Sequence, residues 1–141
     1  LQPERLYGAV SSVAGAQIAL DEAVKYVKER VQFGRPISKF QAIRHRLAQL
    51  ATEIEAARQL TYYVAGKINA GEFPGKEISM AKFFATRVAH RVADEALQFH
   101  GGYGYMMDYP IQRFWRDSRL ARIGGGTDEI MLEIVSRQMG L

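Results

Sequence analysis

Apolar residues along this chain recur at alternating steps of four and three, and over runs this long only an α-helix has that period. Leu6, Val10, Val13, Gln17, Leu20, Val24, Val27 and Val31 follow the rule, with Gln17 the single polar member. Ile43, Leu47, Leu50, Ile54, Ala57, Thr61, Val64 and Ile68 repeat it. A third segment, from about Lys76 to about Phe99, sets Ile78, Ala81, Ala85, Val88 and Val92 on one face. Beside them Ala81, Ala85, Ala89 and Ala93 form a row of small side chains, over which another helix can approach closely.

The punctuation agrees with this reading. Pro3 suits a first helical turn, where Glu4 also meets the positive end of the helix dipole. Gly34 and Pro36 close the first segment. Ser38 and Gln41 have capping-box spacing at the start of the second, and Asn69, Gly71, Pro74 and Gly75 mark its end. The run His100-Gly101-Gly102-Tyr103-Gly104 stops the third. A shorter helix is expected from near Pro110 to near Ile123, and Gly124-Gly125-Gly126 breaks the chain again. Thr127 can cap a last helix that carries Ile130, Ile134 and Leu141. No sustained alternation with period two appears, so no strands are expected. Short connections make successive helices antiparallel. The expected fold is all-α: an up-and-down four-helix bundle with an extra short helix before the last one. The 141 residues suffice for one such domain, residues 1–141, with one core.

Several chemistries are disfavoured. The chain has no cysteine, which removes disulfide scaffolds, zinc-thiolate sites and thiol nucleophiles. The net charge of +4 is mild and its cations are interspersed with acids, which suits an anionic ligand better than a nucleic acid. Arg113, Arg116, Arg119 and Arg122 recur every three residues around Asp117; a solvated face is the ordinary meaning of such a stripe. A di-iron bundle needs inward Glu-x-x-His pairs, and none of His45, His90 and His100 has a Glu three residues upstream. No metal site is expected, and the three histidines are expected on the surface or in loops. No apolar run reaches the roughly 18 residues of a membrane span. Leu1-Gln2-Pro3-Glu4 is unlike a signal peptide, and the absence of an initiator Met fits a processed chain or an excised fragment. Neither glycine run is specific alone. The first follows a helix and fits a C-cap; the second precedes a helix and fits either a flexible loop or a close approach to a ligand.

Four stretches in order carry a resemblance. They are Arg30-Val31-Gln32-Phe33-Gly34, continued by Phe40-Gln41-Ala42-Ile43; Asp94 to Tyr105; Tyr109-Pro110-Ile111-Gln112-Arg113-Phe114-Trp115-Arg116-Asp117; and Gly126-Thr127-Asp128-Glu129-Ile130. Together they resemble the acyl-CoA dehydrogenase family over essentially the whole chain. The resemblance implies the C-terminal helical part of a three-part flavoenzyme. It would desaturate an acyl-CoA thioester and pass electrons to an electron-transfer flavoprotein. It also implies a homotetramer and a bacterial cytoplasmic or mitochondrial matrix location. An acyl-CoA oxidase, and a non-catalytic helical module of the same fold, stand as alternatives.

Residue by residue, the resemblance implies FAD contacts from Arg30, Phe33, Gln41, Gln98, Gly101, Gly102, Thr127 and Glu129. Arg30 would meet the pyrophosphate of a cofactor in a neighbouring subunit, a task suited to the guanidinium fork. Arg5, Gly125 and Gly126 would lie near the substrate. Most family members carry the catalytic Glu where this chain has Gly125. Isovaleryl and long-chain members instead place it in a Leu-x-x-Glu-Arg context, which Leu1-Gln2-Pro3-Glu4-Arg5 matches. Glu4 is therefore the expected base.

Overall fold

Pro3 lies in the first turn of helix α1, Gln2–Glu29, as its fixed φ predicts. The structure, a computed structural model, describes residues 1–141. Helices α2 (Gln41–Asn69) and α3 (Gly75–His100) follow, then a single turn, α4 (Gly102–Tyr105), then α5 (Ile111–Ala121) and α6 (Asp128–Gln138). The fold is the expected all-α bundle. No helix is long and apolar enough to cross a membrane.

Polar contacts give the helix directions. Arg46 of α2 pairs with Glu95 of α3, Arg91 of α3 with Glu53 at 3.1 Å, and Lys67 with Glu77 at 3.8 Å, so α2 and α3 are antiparallel. Helices α1 and α3 are parallel and make the most extensive contact in the fold. At one end Gly8 faces the stem of Lys82; at the other the Tyr26 hydroxyl donates to the His100 carbonyl at 3.3 Å. Helices α5 and α6 descend α3 one after the other. Trp115 Nε1 donates to Asp94 at 2.7 Å, Ser118 meets His90 at 3.0 Å, and Arg87 meets Asp128 at 3.3 Å. The fourth column of the bundle is thus two short helices, divided by the loop Gly124–Gly126.

The alanine row of α3 is buried throughout, and Leu50, Ile54, Ala57, Thr61 and Val64 of α2 are buried as their spacing predicts. In α1 the buried face is turned from the expected one. It runs through Ala9, Val13, Ala16, Leu20, Ala23 and Val27, while Val10 is 48% exposed. Alanine on alanine lets α1 and α3 approach closely, and that dense contact outweighs burial of the larger valine.

Five further expectations are corrected. Helix α1 ends at Glu29, before Gly34, because Arg30 is extended at φ −71° and ψ 121°. A strand pair, β1 (Val31–Gln32) with β2 (Arg35–Pro36), follows, too short for any alternation to show in the sequence. Its turn residues Phe33 and Gly34 have φ of 53° and 77°, the positive values a tight hairpin turn needs. The capping box is absent: Ser38 lies in a 3-10 turn, Ile37–Lys39, and Phe40 precedes α2 without a side-chain cap. In α6 the buried residues are Asp128 and Met131, whereas Ile130 is exposed and Leu141 lies past the helix end. Finally, His100 is buried and His90 half-buried. The His100 ring stacks on Tyr26 with centroids 4.1 Å apart, and its Nδ1 lies 2.7 Å from the Ala96 carbonyl. Being at the last turn of a helix did not expose it, because Tyr26 and Tyr109 enclose it.

Candidate functional site

Where α1 and α3 end side by side, a cleft of about 490 Å³ opens. Tyr26, Arg30, Gln32, His100, Gly101, Gly102 and Tyr103 contribute to its walls. Three of the residues singled out in the sequence, Arg30, Gly101 and Gly102, therefore meet in one concavity. Arg30 lies over the Tyr103 ring, 5.4 Å from its centroid, and pairs with no carboxylate. Gly101 has φ of 58° and its N–H closes the helix end on Gln98 O at 3.0 Å. A Cβ on Gly102 would meet nothing within 4 Å, so packing inside the chain does not require glycine there. The bare backbone instead leaves the cleft open to a close-fitting group. A cation beside open backbone suits a phosphate-bearing cofactor.

The second glycine run forms a clamped loop at the opposite end of α1. Arg5 is 8% exposed and its Nε donates to Gly125 O at 2.9 Å. Lys82 of α3 is 1% exposed and its Nζ donates to Gly126 O. Gly126 has φ of 119°, and a Cβ there would come within 2.8 Å of Met131 Cε. Gly125 has φ of 69°. Buried Asp128 accepts from Arg122 Nε at 2.8 Å and Nη2 at 2.6 Å through Oδ2, which also faces Arg87. Its Oδ1 has no partner. Burial holds the Lys82 ammonium below the usual lysine range, with Asp128 opposing and Arg5 adding to the shift.

Glu4 is exposed in the first turn of α1, next to clamped Arg5. Thr127 caps α6 by accepting from Ile130 N at 3.4 Å. Glu129, in the same first turn, is held below the usual carboxylate range by its own backbone N–H and by Thr127. Gln98 is exposed in the last turn of α3. Phe33 is 91% exposed at the hairpin tip, edge-on to Phe40 with centroids 6.1 Å apart. Gln41 lies 3.5 Å from His45 Nε2. Neither Phe33 nor Gln41 lines the cleft. The candidates therefore fall into two groups at opposite ends of α1. At 1.5 Å per residue, Arg5 and Arg30 lie roughly 37 Å apart along the helix.

Sequence reasoning missed Tyr26, His100 and Tyr103 in the cleft, and Lys82 and Asp128 at the loop. Lys82 left a trace: it lies four residues after Ile78 and three before Ala85, on the apolar face of α3.

Residues 1–140 match the family model described as acyl-CoA dehydrogenase, C-terminal domain. The chain belongs to the acyl-CoA dehydrogenase family. It is 48% identical over 131 residues to an acyl-CoA dehydrogenase of Bacillus subtilis, covering 93% of this chain and 35% of that one. It is 44% identical over 132 residues to a subunit of the caffeyl-CoA reductase-Etf complex of Acetobacterium woodii, covering 94% and 35%. The crystal structure of an acyl-CoA dehydrogenase from Geobacillus kaustophilus superposes with a TM-score of 0.97 at 43% identity, covering 99% of this chain and 37% of that one. The chain thus spans about a third of the length of the proteins it matches.

Proposed function

We propose that this chain is the C-terminal helical part of an FAD-dependent enzyme that dehydrogenates an acyl-CoA thioester, with Glu4 as the base. The observation that carries the reading is the Arg5–Gly125 bond. It fixes the first turn of α1, and so the backbone bearing Glu4, against the loop where most family members carry their base. Gly125 has no side chain to take a proton, and Glu4 supplies the missing carboxylate. An unpaired carboxylate closed off from water by substrate becomes a stronger base. Glu4 Oε takes the α-proton of the thioester. Bound FAD supplies the acceptor for the hydride that leaves the β-carbon.

The chain's own residues divide the cofactor work. Arg30, Gly101, Gly102 and Gln98 gather at one end of the bundle; Thr127 and Glu129 start α6 beside the clamped loop at the other. A separation of roughly 37 Å along α1 supports two different cofactor molecules, one per end. In that arrangement Arg30, with Phe33 and Gln41 of the neighbouring hairpin and helix, serves the FAD of a second copy in a homo-oligomer. Thr127 and Glu129 serve the chain's own. Electrons then leave to an electron-transfer flavoprotein; one relative is itself part of an Etf complex.

The test uses the full-length protein. Arg30→Ala should weaken FAD retention at least tenfold, and anaerobic addition of acyl-CoA thioesters should bleach the wild-type flavin. A wild type that stays yellow with every straight and branched thioester overturns the assignment.

A further inference from the structure

Lys82 is the largest of the fully buried side chains, and nothing in the reaction as described above uses it. It lies on the apolar face of α3 between Ile78 and Ala85. Its stem passes Gly8 of α1, and its Nζ reaches Gly126 O. It has no carboxylate within ion-pair distance: Asp128 acts on it through space and is itself engaged by Arg122 and Arg87. Arg5 lies close enough to oppose its charge. Taking an ammonium out of water for one backbone acceptor, beside a second cation, is unfavourable; a leucine or methionine would fill the space without that cost. The placement makes sense through the acceptor.

Gly125 and Gly126 present consecutive carbonyls, one drawn to Arg5 and the other to Lys82. In a trans peptide the N–H points opposite to the C=O. Holding Gly126 O inward on Lys82 therefore turns the Thr127 N–H outward. That N–H has no acceptor within the chain, and neither has the N–H of Gly125. Of the two peptides whose carbonyls are engaged, the one held by Arg5 spends its Gly126 N–H on Ile123 O at 3.3 Å, and the one held by Lys82 leaves its Thr127 N–H open.

We propose that Lys82 is a positioning residue for the dehydrogenation. Through the Gly126–Thr127 peptide it sets the loop so that the free Thr127 N–H faces the bound reactants. This rests on the function proposed above.

The test is anaerobic flavin reduction by a saturating acyl-CoA thioester in full-length Lys82→Met, with Lys82→Gln as a second neutral variant and Lys82→Arg as the charged control. The variants should retain FAD, melt within a few degrees of wild type, and bind thioester within about threefold. Reduction per bound flavin should fall tenfold or more in Lys82→Met and Lys82→Gln, and Lys82→Arg should recover part of the loss. If Lys82→Met is poorly folded, the rate per bound flavin in Lys82→Gln decides. An unchanged rate per bound flavin in a neutral variant, with only melting temperature or FAD content lowered, overturns the proposal and leaves Lys82 a structural residue. A wild type that no thioester reduces overturns the functional reading, and this one with it.

Discussion

Arg5 Nε donates to the carbonyl of Gly125 at 2.9 Å, across 120 positions of sequence. The bond joins the start of the first helix to the loop before the last. Arg5→Met should keep much of the packing and leave Gly125 O without its charged donor. A loss of about 1–3 kcal/mol in folding stability is expected, measured by urea denaturation. No loss would mean that the loop keeps its shape without Arg5.

The two loop glycines should respond unequally to a methyl group. Gly126→Ala combines φ of 119° with a Cβ placed 2.8 Å from Met131 Cε. Gly125→Ala meets only Arg5 Cγ, at an ordinary 3.8 Å, with φ of 69°. Backbone strain of this kind costs of order 1–3 kcal/mol, and the contact adds to it at Gly126 alone. Thermal melts should place Gly126→Ala below Gly125→Ala; the reverse order would contradict the loop geometry.

Helices α1 and α3 meet through alanines. Ala85 is 1% exposed, so Ala85→Leu has nowhere to place its added carbons and should cost about 1–3 kcal/mol or more by denaturant unfolding. Val10→Ala, on the exposed side of α1, should stay within about 0.5 kcal/mol. Equal effects would return the buried face to the stripe expected from hydrophobicity.

His90 gives a pH dependence. Burial, then Arg122, holds its pKa below the ordinary 6.5; Asp94 opposes and Arg119 adds a smaller lowering. The unfolded chain therefore takes up this proton first as pH falls. His90's contribution to stability is complete above about 6.5 and is lost as pH drops from there through the lower folded-state value. Melting temperatures of His90→Gln and wild type, measured from pH 8 to 5, should converge toward acid. Curves that stay parallel would contradict the account.

The bundle was legible because its long helices each keep a 3.6-residue period over many turns, which chance rarely produces. The rotation of α1 was not, because alanine carries little hydrophobic weight beside valine; its value lies in how closely α3 can approach. The β1–β2 hairpin escaped because two-residue strands have no readable period. Ser38 and Gln41 had the right spacing for a cap, but the 3-10 turn placed Phe40 at the helix start. In the site, Arg30, Gly101 and Gly102 could be found from motif order. Lys82 left only its place on the apolar stripe of α3, which does not outweigh the usual position of a helical lysine in water; the loop carbonyl that explains its burial lies 44 residues away.

The most direct measurement compares wild type with Glu4→Gln in the full-length protein by anaerobic flavin bleaching with an acyl-CoA thioester. The substitution keeps the size of the side chain and removes the basic carboxylate. Glu4→Gln should bind FAD and thioester and stay yellow, with the bleaching rate down at least about a hundredfold, a range expected for loss of a general base. A Glu4→Gln protein that bleaches at the wild-type rate would contradict this, and Glu4 would then be only a favourable charge at the start of a helix.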